Sequence, residues 1–216
     1  MPPFKLHGMV GSTNTNRVFA VLNELDLDYE LITVDLTIGA HKNPDYLAFN
    51  PFGQLPAFED GDIKLFESRA IARYLAANYR GSGPDLLRSG NKAESAAVEV
   101  WLDVESQDFN PPASVLVFEV FIKHLLFKKG PDEAVVQLQE AKLGKVLDVY
   151  EKRLSESKYL AGDEFTLADL NHYPYLYALS KTAHAGLVTS RPHVSAWWDE
   201  IAARPAWKKI VAASPY

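Results

Sequence analysis

The sequence predicts a chain of two domains, a mixed α+β domain followed by an all-α domain, and three observations carry that expectation. Strand-like alternation is confined to the first 66 residues, where it interleaves with one helical pattern. The stretch Arg80-Gly81-Ser82-Gly83-Pro84-Asp85 is rich in turn residues and breaks the chain there. Beyond it the strand signals vanish, and apolar residues recur at helical spacing. The expected division is residues 1–80, a linker at 81–91, and a helical domain over 92–216. With 216 residues there is enough chain for two modest cores.

Phe4-Lys5-Leu6-His7-Gly8 reads as a short strand that stops at its glycine. The loop Met9-Val10-Gly11-Ser12-Thr13-Asn14 leads into a helix expected at about 16–25, with Val18, Val21, Leu22 and Leu25 on its apolar stripe. Tyr29-Glu30-Leu31-Ile32-Thr33-Val34 alternates as a second strand. A strand, a helix and a strand in so short a span make a βαβ unit with a parallel pair. After an irregular stretch, two further strands flank Asp60-Gly61-Asp62, a strong hairpin signal. A helix over about 68–79 closes the unit. The order βαβαββα is a thioredoxin-like layout.

In the second half, a helix is expected over 93–109 and is expected to stop at Pro111-Pro112. Residues 115–127 are almost wholly apolar, and Leu143, Leu147, Tyr150 and Leu154 mark one stripe of a helix over Glu133–Leu154. Thr166 and Asp169 have the spacing of a capping box, with Phe165 and Leu170 as its hydrophobic staple. Two shorter helices, at about 193–202 and 206–213, are separated by Arg204-Pro205.

Composition narrows the function. The net charge is −6 and the hydrophobic fraction 47%, ordinary values for a globular protein, and no basic run suggests nucleic acid as a partner. No apolar run reaches the roughly 18 residues of a membrane span. The start, Met1-Pro2-Pro3-Phe4-Lys5, lacks the apolar core of a secretory signal, and the cytoplasm is the expected location. The chain contains no cysteine, which excludes disulfides, cysteine-ligated metals and protein-thiol redox chemistry. No metal site is expected.

The densest information lies in Asn50-Pro51-Phe52-Gly53-Gln54-Leu55-Pro56 and in Leu65-Phe66-Glu67-Ser68-Arg69-Ala70-Ile71. Pro51 and Gly53 force a turn, and Gln54 offers an amide. Pro56 cannot donate to a ladder, so it either caps a strand edge or makes a cis bend. A cis bend would expose the backbone of Leu55 to pair with a bound peptide as an added strand does. Glu67-Ser68 follows a strand and opens a helix, which sets a carboxylate, a hydroxyl and unbonded N–H groups at one place. Such a place suits the zwitterionic end of a ligand. The plainer alternative is a turn and an ordinary helix cap.

Together these features resemble the plant phi class of cytosolic glutathione transferases over essentially the whole chain. The resemblance rests on Ala40-His41-Lys42-Asn43-Pro44 and the two stretches above. In the second half it rests on Lys158-Tyr159-Leu160-Ala161-Gly162-Asp163, the capping box, Leu170-Asn171-His172 and Arg191-Pro192-His193-Val194-Ser195-Ala196-Trp197-Trp198. It implies the two-domain fold of that family, with glutathione as co-substrate and no tightly bound cofactor. Ser12 aligns with the family's catalytic serine, donating to the glutathione sulfur. A plain N-cap serine is the alternative, and the two roles are compatible. His41 and Lys42 would hold the glycyl carboxylate, and Gln54 with the Leu55 backbone would pair with the peptide, their geometry set by Pro56. Glu67 would take the γ-glutamyl amine and Ser68 its carboxylate. Arg69 would either orient Glu67 or face a partner subunit.

The same resemblance places an electrophile pocket at Met9, Val10, Thr13, Leu36, Phe118 and Ile122. It also implies a homodimer locked by Phe52, a large apolar residue in a turn; the alternative is that Phe52 folds under its own loop. The implied activity is conjugation of glutathione to hydrophobic electrophiles, as in xenobiotic or herbicide detoxification, with peroxide reduction as a side activity of the same thiolate. A carrier of flavonoid-like ligands and a non-catalytic interaction domain of the same fold are the alternatives. A glutaredoxin-like thiol transferase is rejected, because it needs a cysteine near position 12.

Overall fold

A computed structural model describes residues 4–80 and 83–214. Gly81 and Ser82 of the expected linker, and Met1 to Pro3 of the N-terminal reading, lie outside the described residues. The chain divides into two compact units, Met1–Leu87 with Pro205–Tyr216, and Arg88–Arg204.

The first unit is a four-stranded mixed sheet with helices. Strand β1 (Phe4–Gly8) is followed by α1 (Thr13–Glu24) and β2 (Tyr29–Thr33). A 3₁₀ turn (Ala40–Lys42) and the short α2 (Pro44–Leu47) fill the irregular stretch before β3 (Ala57–Asp60), β4 (Ile63–Phe66) and α3 (Ser68–Asn78). The sheet order is β2-β1-β3-β4. β1 and β2 run parallel, with Leu6 opposite Leu31, as the βαβ reading requires. β3 runs antiparallel to both β1 and β4.

Helix α1 begins at Thr13, three residues before the expected start, so Ser12 occupies the N-cap position. Its stripe of Val18, Val21 and Leu22 is fully buried, as are Leu6 and Phe58 from the sheet and Ile71 and Leu75 from α3. Helices α1 and α3 pack on each other. Burying one such aliphatic side chain contributes roughly 1.5–3 kcal/mol, so this small sheet is held chiefly by that core. The last residue of β1, Gly8, lies so close to α1 that an added Cβ would stand 2.5 Å from the Thr15 side chain.

The second unit is helical. Helix α4 (Lys92–Val104) is capped by the Asn91 side chain, which accepts from the N–H groups of Ala93 and Glu94. The chain does not stop at Pro111-Pro112, contrary to expectation. A π-helical turn (Glu105–Phe109) leads straight into α5 (Asn110–Val117), and a second one (Phe118–Ile122) into α6 (Lys123–Phe127). In both turns the closing N–H bonds five residues back, Asn110 to Glu105 and Lys123 to Phe118. The wide turn interrupts the ordinary bonding just before the prolines, which then lie in a first helical turn where their missing donors cost little.

Helix α7 (Glu133–Leu154) is capped by Asp132 and buries Leu143, Leu147, Tyr150 and Leu154, the expected stripe. After it come α8 (Leu167–Leu170), α9 (Tyr173–Ser180), α10 (Gly186–Thr189) and α11 (Pro192–Ala202). The last helix, α12 (Pro205–Ala213), was expected within the helical domain. It packs on α1, and the Asn23 amide donates to the Ala206 carbonyl, so it belongs to the first unit. No helix among the described residues is long and apolar enough to cross a membrane.

The core of the second unit contains a buried polar network. Asp169 is wholly buried and accepts from the backbone of Leu160 and Thr166, the Thr166 hydroxyl and the Trp197 indole, each at 3.0 Å. His172 donates through Nδ1 to the Ala168 carbonyl at 2.8 Å, so its Nε2 accepts from the Tyr150 hydroxyl at 2.9 Å. Burial pushes the Tyr150 phenol well above its ordinary pKa, with Glu105 adding to the effect, so it stays a donor.

Burial also pushes the Asp169 carboxyl upward, against the donors that favour its charge. Asp169→Ala strands at least two buried donors and is expected to lower stability by about 3 kcal/mol or more, read as a shift of the urea midpoint at constant slope. A raised folded pKa means this group's proton-linked stability is full at low pH and lost as pH rises through the folded value. The gap between wild type and variant should therefore be widest near pH 4 and narrow toward neutrality.

Candidate active site

Within the first unit, one polar cleft is lined by Asn14, Asn50, Gln54, Leu55, Pro56, Glu67, Ser68 and Arg69. Its floor is the turn that precedes β3. The Asn50 side chain accepts from the Phe52 N–H at 3.1 Å and donates to the Gln54 carbonyl at 2.8 Å, bracing the turn from inside. The Tyr46 hydroxyl donates to that same carbonyl at 2.8 Å, and burial lifts its pKa to about 12, so it remains a donor at neutral pH. The backbone of Gln54 is thus held while its side chain stays exposed.

The Leu55–Pro56 bond is cis, the second of the two expected alternatives. The Leu55 side chain is buried with Val34, Tyr46 and Ala57, against which Met9 and Leu36 also pack. Neither the N–H nor the C=O of Leu55 bonds to another backbone group among the described residues. Two unbonded backbone groups beside an exposed amide are what a short peptide needs in order to pair.

Gly53 lies in the turn just before Gln54 and, like His41 and Lys42, is not among the residues that line the cleft. Its φ is +56°, and an added Cβ would lie 2.8 Å from both the His41 carbonyl and the Lys42 ammonium. Only glycine lets Lys42 reach across, where Nζ donates to the carbonyls of Phe52 at 3.2 Å and Gly53 at 3.0 Å. An ammonium has three protons, so one remains for a ligand. The neighbouring His41 has a buried Nδ1 that finds no partner among the described residues.

The opposite wall is the start of α3. Glu67 adopts φ +70°, a region that costs a non-glycine residue roughly 1–3 kcal/mol, and its side chain is exposed. Ser68 is 95% buried from solvent, at 5% exposure, and its hydroxyl accepts from Arg17 at 2.8 Å. Arg69 is half-buried on the same wall.

Ser12 stands at the N-cap of α1, but its hydroxyl makes no capping bond. The first turn of a helix leaves its N–H groups without intrahelical partners, and the helix dipole adds positive potential there. Thr13 is the first residue of that turn. The remaining pocket candidates scatter. Val10 lines a different groove of about 260 Å³ with Phe19, Tyr29, Leu31 and Ile210, not the cluster that holds Met9 and Leu36. In the second unit, Phe118 and Ile122 bound the second π turn, with Phe118 40% exposed. Phe52 is 64% exposed, its ring 6.1 Å from Phe66, so it does not fold under its own loop.

Sequence reading passed over Tyr46, Asn14 and Arg17. Arg17 is fully buried and ties the first turn of α1 to Ser68. Its one signal is position: it shares the helical face of Val21, four residues on, where a cation is out of place.

Residues 2–77 match the family model described as the N-terminal domain of glutathione S-transferase, and residues 109–205 match that of its C-terminal domain. Glutathione S-transferase 3 of Zea mays is 57% identical, covering 100% of this chain and 96% of the relative. The crystal structure of glutathione transferase F7 from Populus trichocarpa superposes with a TM-score of 0.96 at 50% identity, covering 99% of this chain and 100% of that one. Glutathione S-transferase I from maize, solved in complex with an atrazine glutathione conjugate, superposes with a TM-score of 0.89 at 43% identity over 97% of each chain. With both family models matched in order and likeness of this degree over the full chain, the protein belongs to the glutathione S-transferase family, in its plant phi class, and is a glutathione transferase.

Proposed function

We propose that the cleft holds glutathione and that Ser12 activates its thiol for attack on hydrophobic electrophiles. The observation that carries the reading is the Ser12 hydroxyl, set at a helix N-terminus and not engaged in capping. A free thiol near pKa 8.5 is only a few per cent ionised at neutral pH, and a drop of about two units needs roughly 2.7 kcal/mol of preference for the thiolate. One charge-assisted hydrogen bond from Ser12 and the dipole of α1 are together of that size. The thiol proton leaves to solvent, the sulfur lone pair forms the new bond to carbon, and the electrophile's leaving group departs. Carriage without turnover would have no use for such a hydroxyl.

The rest of the cleft binds. Lys42 offers its remaining proton, with His41 beside it, to the glycyl carboxylate; Gln54 and the Leu55 backbone pair with the peptide. Glu67 accepts from the γ-glutamyl amine, while Ser68 donates to the carboxylate and Arg69 flanks both. In this reading the first 80 residues, joined by α12, form the glutathione-binding domain, with 81–91 as the linker, and Met9, Thr13 and Leu36 of that domain are the residues offered to the electrophile. The atrazine conjugate held by the maize relative supports flat, hydrophobic electrophiles as the substrate class. The cytoplasm is the proposed compartment, and peroxide reduction by the same thiolate is a proposed side activity.

Ser12→Ala is expected to cut kcat/KM by about 10–1,000-fold, the range of a lost transition-state hydrogen bond, while fold and most glutathione affinity persist. The bound thiol should titrate at higher pH, so part of the rate returns as pH rises. Thiolate absorbance in the ultraviolet, followed against pH in both proteins, checks this. Identical titrations would make Ser12 a helix cap and nothing more.

Ser68→Ala removes binding shared by ground and transition states, so KM for glutathione should rise more than kcat falls. Collapse of kcat at unchanged KM would place Ser68 at the reacting centre instead.

The exposed Phe52 ring supports a homodimer in which this residue enters the partner subunit, since a large apolar side chain in a turn gains by being covered. Light scattering at micromolar concentration should give a dimer, and Phe52→Ala should weaken it. A monomeric wild type overturns the dimer, and an undiminished Phe52→Ala dimer overturns only the lock.

A further inference from the structure

Arg17 stands on a helix face that is otherwise core, and its side chain is wholly buried. Burying a cation costs several kcal/mol unless every proton finds an acceptor, so its placement demands a compensating role. One terminal nitrogen, Nη1, directs its two protons to two residues of the cleft wall. It donates to Asn14 Oδ1 at 2.6 Å and to Ser68 Oγ at 2.8 Å. Those two come from different helices, Asn14 from the first turn of α1 and Ser68 from the first residue of α3.

A guanidinium has donors and no acceptor. Asn14 must therefore turn its carbonyl oxygen inward, which leaves its NH₂ as the end that can serve the cleft. Ser68 must accept on its oxygen, which leaves its O–H to donate elsewhere. Neither side chain has another hydrogen bond among the described residues. Both line the cleft with Glu67 and Gln54.

We propose that Arg17 is a positioning residue that sets the hydrogen-bond polarity of this wall, so that Asn14 and Ser68 present only donors to the α-carboxylate of the γ-glutamyl group. The inference rests on the assignment of this cleft to glutathione and adds two residues, Asn14 and Arg17, to its recognition. Arg17 does not touch the ligand. It removes the alternative in which the Ser68 hydroxyl points inward and shows the ligand a lone pair, which would repel a carboxylate. Glutamine at position 17 restores that alternative, because its carbonyl can take the serine proton.

The test compares two thiols in conjugation to an aryl halide: glutathione, and 4-aminobutanoyl-cysteinylglycine, which lacks the α-carboxylate. Wild type should show a KM about 10–100-fold higher for the second, the size of a lost hydrogen bond to a charged group. Arg17→Gln should raise the KM for glutathione by a similar factor, with kcat within a few-fold and the KM for the analogue unmoved. Arg17→Lys, whose ammonium is also donor-only, should recover part of the preference.

If Arg17→Gln raises both KM values alike, or lowers kcat alone, the residue is merely structural and the proposal falls. If wild type itself does not distinguish the two thiols, the glutathione assignment of the cleft fails first. Should Arg17→Gln not fold, as judged by circular dichroism, Asn14→Asp decides the matter. It keeps the bond to Arg17 and replaces the outward donor by an acceptor, so it should raise only the KM for glutathione. Equal KM values in Asn14→Asp and wild type would overturn the proposal.

Discussion

The first unit depends on buried side-chain hydrogen bonds that tie distant segments together around its polar cleft. The buried guanidinium of Arg17 does this on one wall, bonding Asn14 in the first turn of α1 and Ser68 at the start of α3. On the floor, the Asn50 amide and the Tyr46 hydroxyl both donate to the Gln54 carbonyl, while the Gln54 side chain stays exposed. In the same turn, Gly53 clears the space through which Lys42 crosses. Asn50, Tyr46 and Arg17 thus have named partners on the inner side of the cleft, while His41 Nδ1 is buried without one among the described residues.

The helical unit applies the same rule to its interior. Asp169 gathers four donors, and His172 passes from a carbonyl to a phenol, so a core crossed by charged and polar groups leaves few of them unpaired. These side chains come from α7, α8, α11 and the turn after α8, and each fixes the register of one element against another. A purely apolar core would pack these helices with less preference for one register. The two π turns serve geometry in a different way, re-aiming Phe118 and the residues after it while letting two prolines lie within the helical run.

Much of this was legible in the amino-acid sequence. Period-two and period-3.6 patterns mark the strands and the buried stripes of α1 and α7, because one face of each must leave water. Pro56, Gly53 and the Glu67-Ser68 pair announce a turn and a helix start through restricted backbone conformations, which are local properties. Such signals need no knowledge of what lies across the fold. They brought the order of elements, the family resemblance and most of the residues around the cleft within reach.

Other features required the chain to be folded. Helix breaking by Pro111-Pro112 is a local rule, and it failed because a neighbouring π turn changed the bonding into which the prolines fit. Assignment of α12 to the first unit follows from its packing on α1, nearly two hundred residues away in sequence, which no local pattern encodes. Nothing local distinguishes the role of Arg17, because its partner Ser68 lies 51 positions later and is brought to its terminal nitrogen only by folding. The sequence by itself determined where chain segments bend and which faces turn inward, since these follow from backbone sterics and hydrophobic period. Only the tertiary structure decided which donor faces which acceptor, because hydrogen-bond polarity at a site is settled by partners that distant segments bring together.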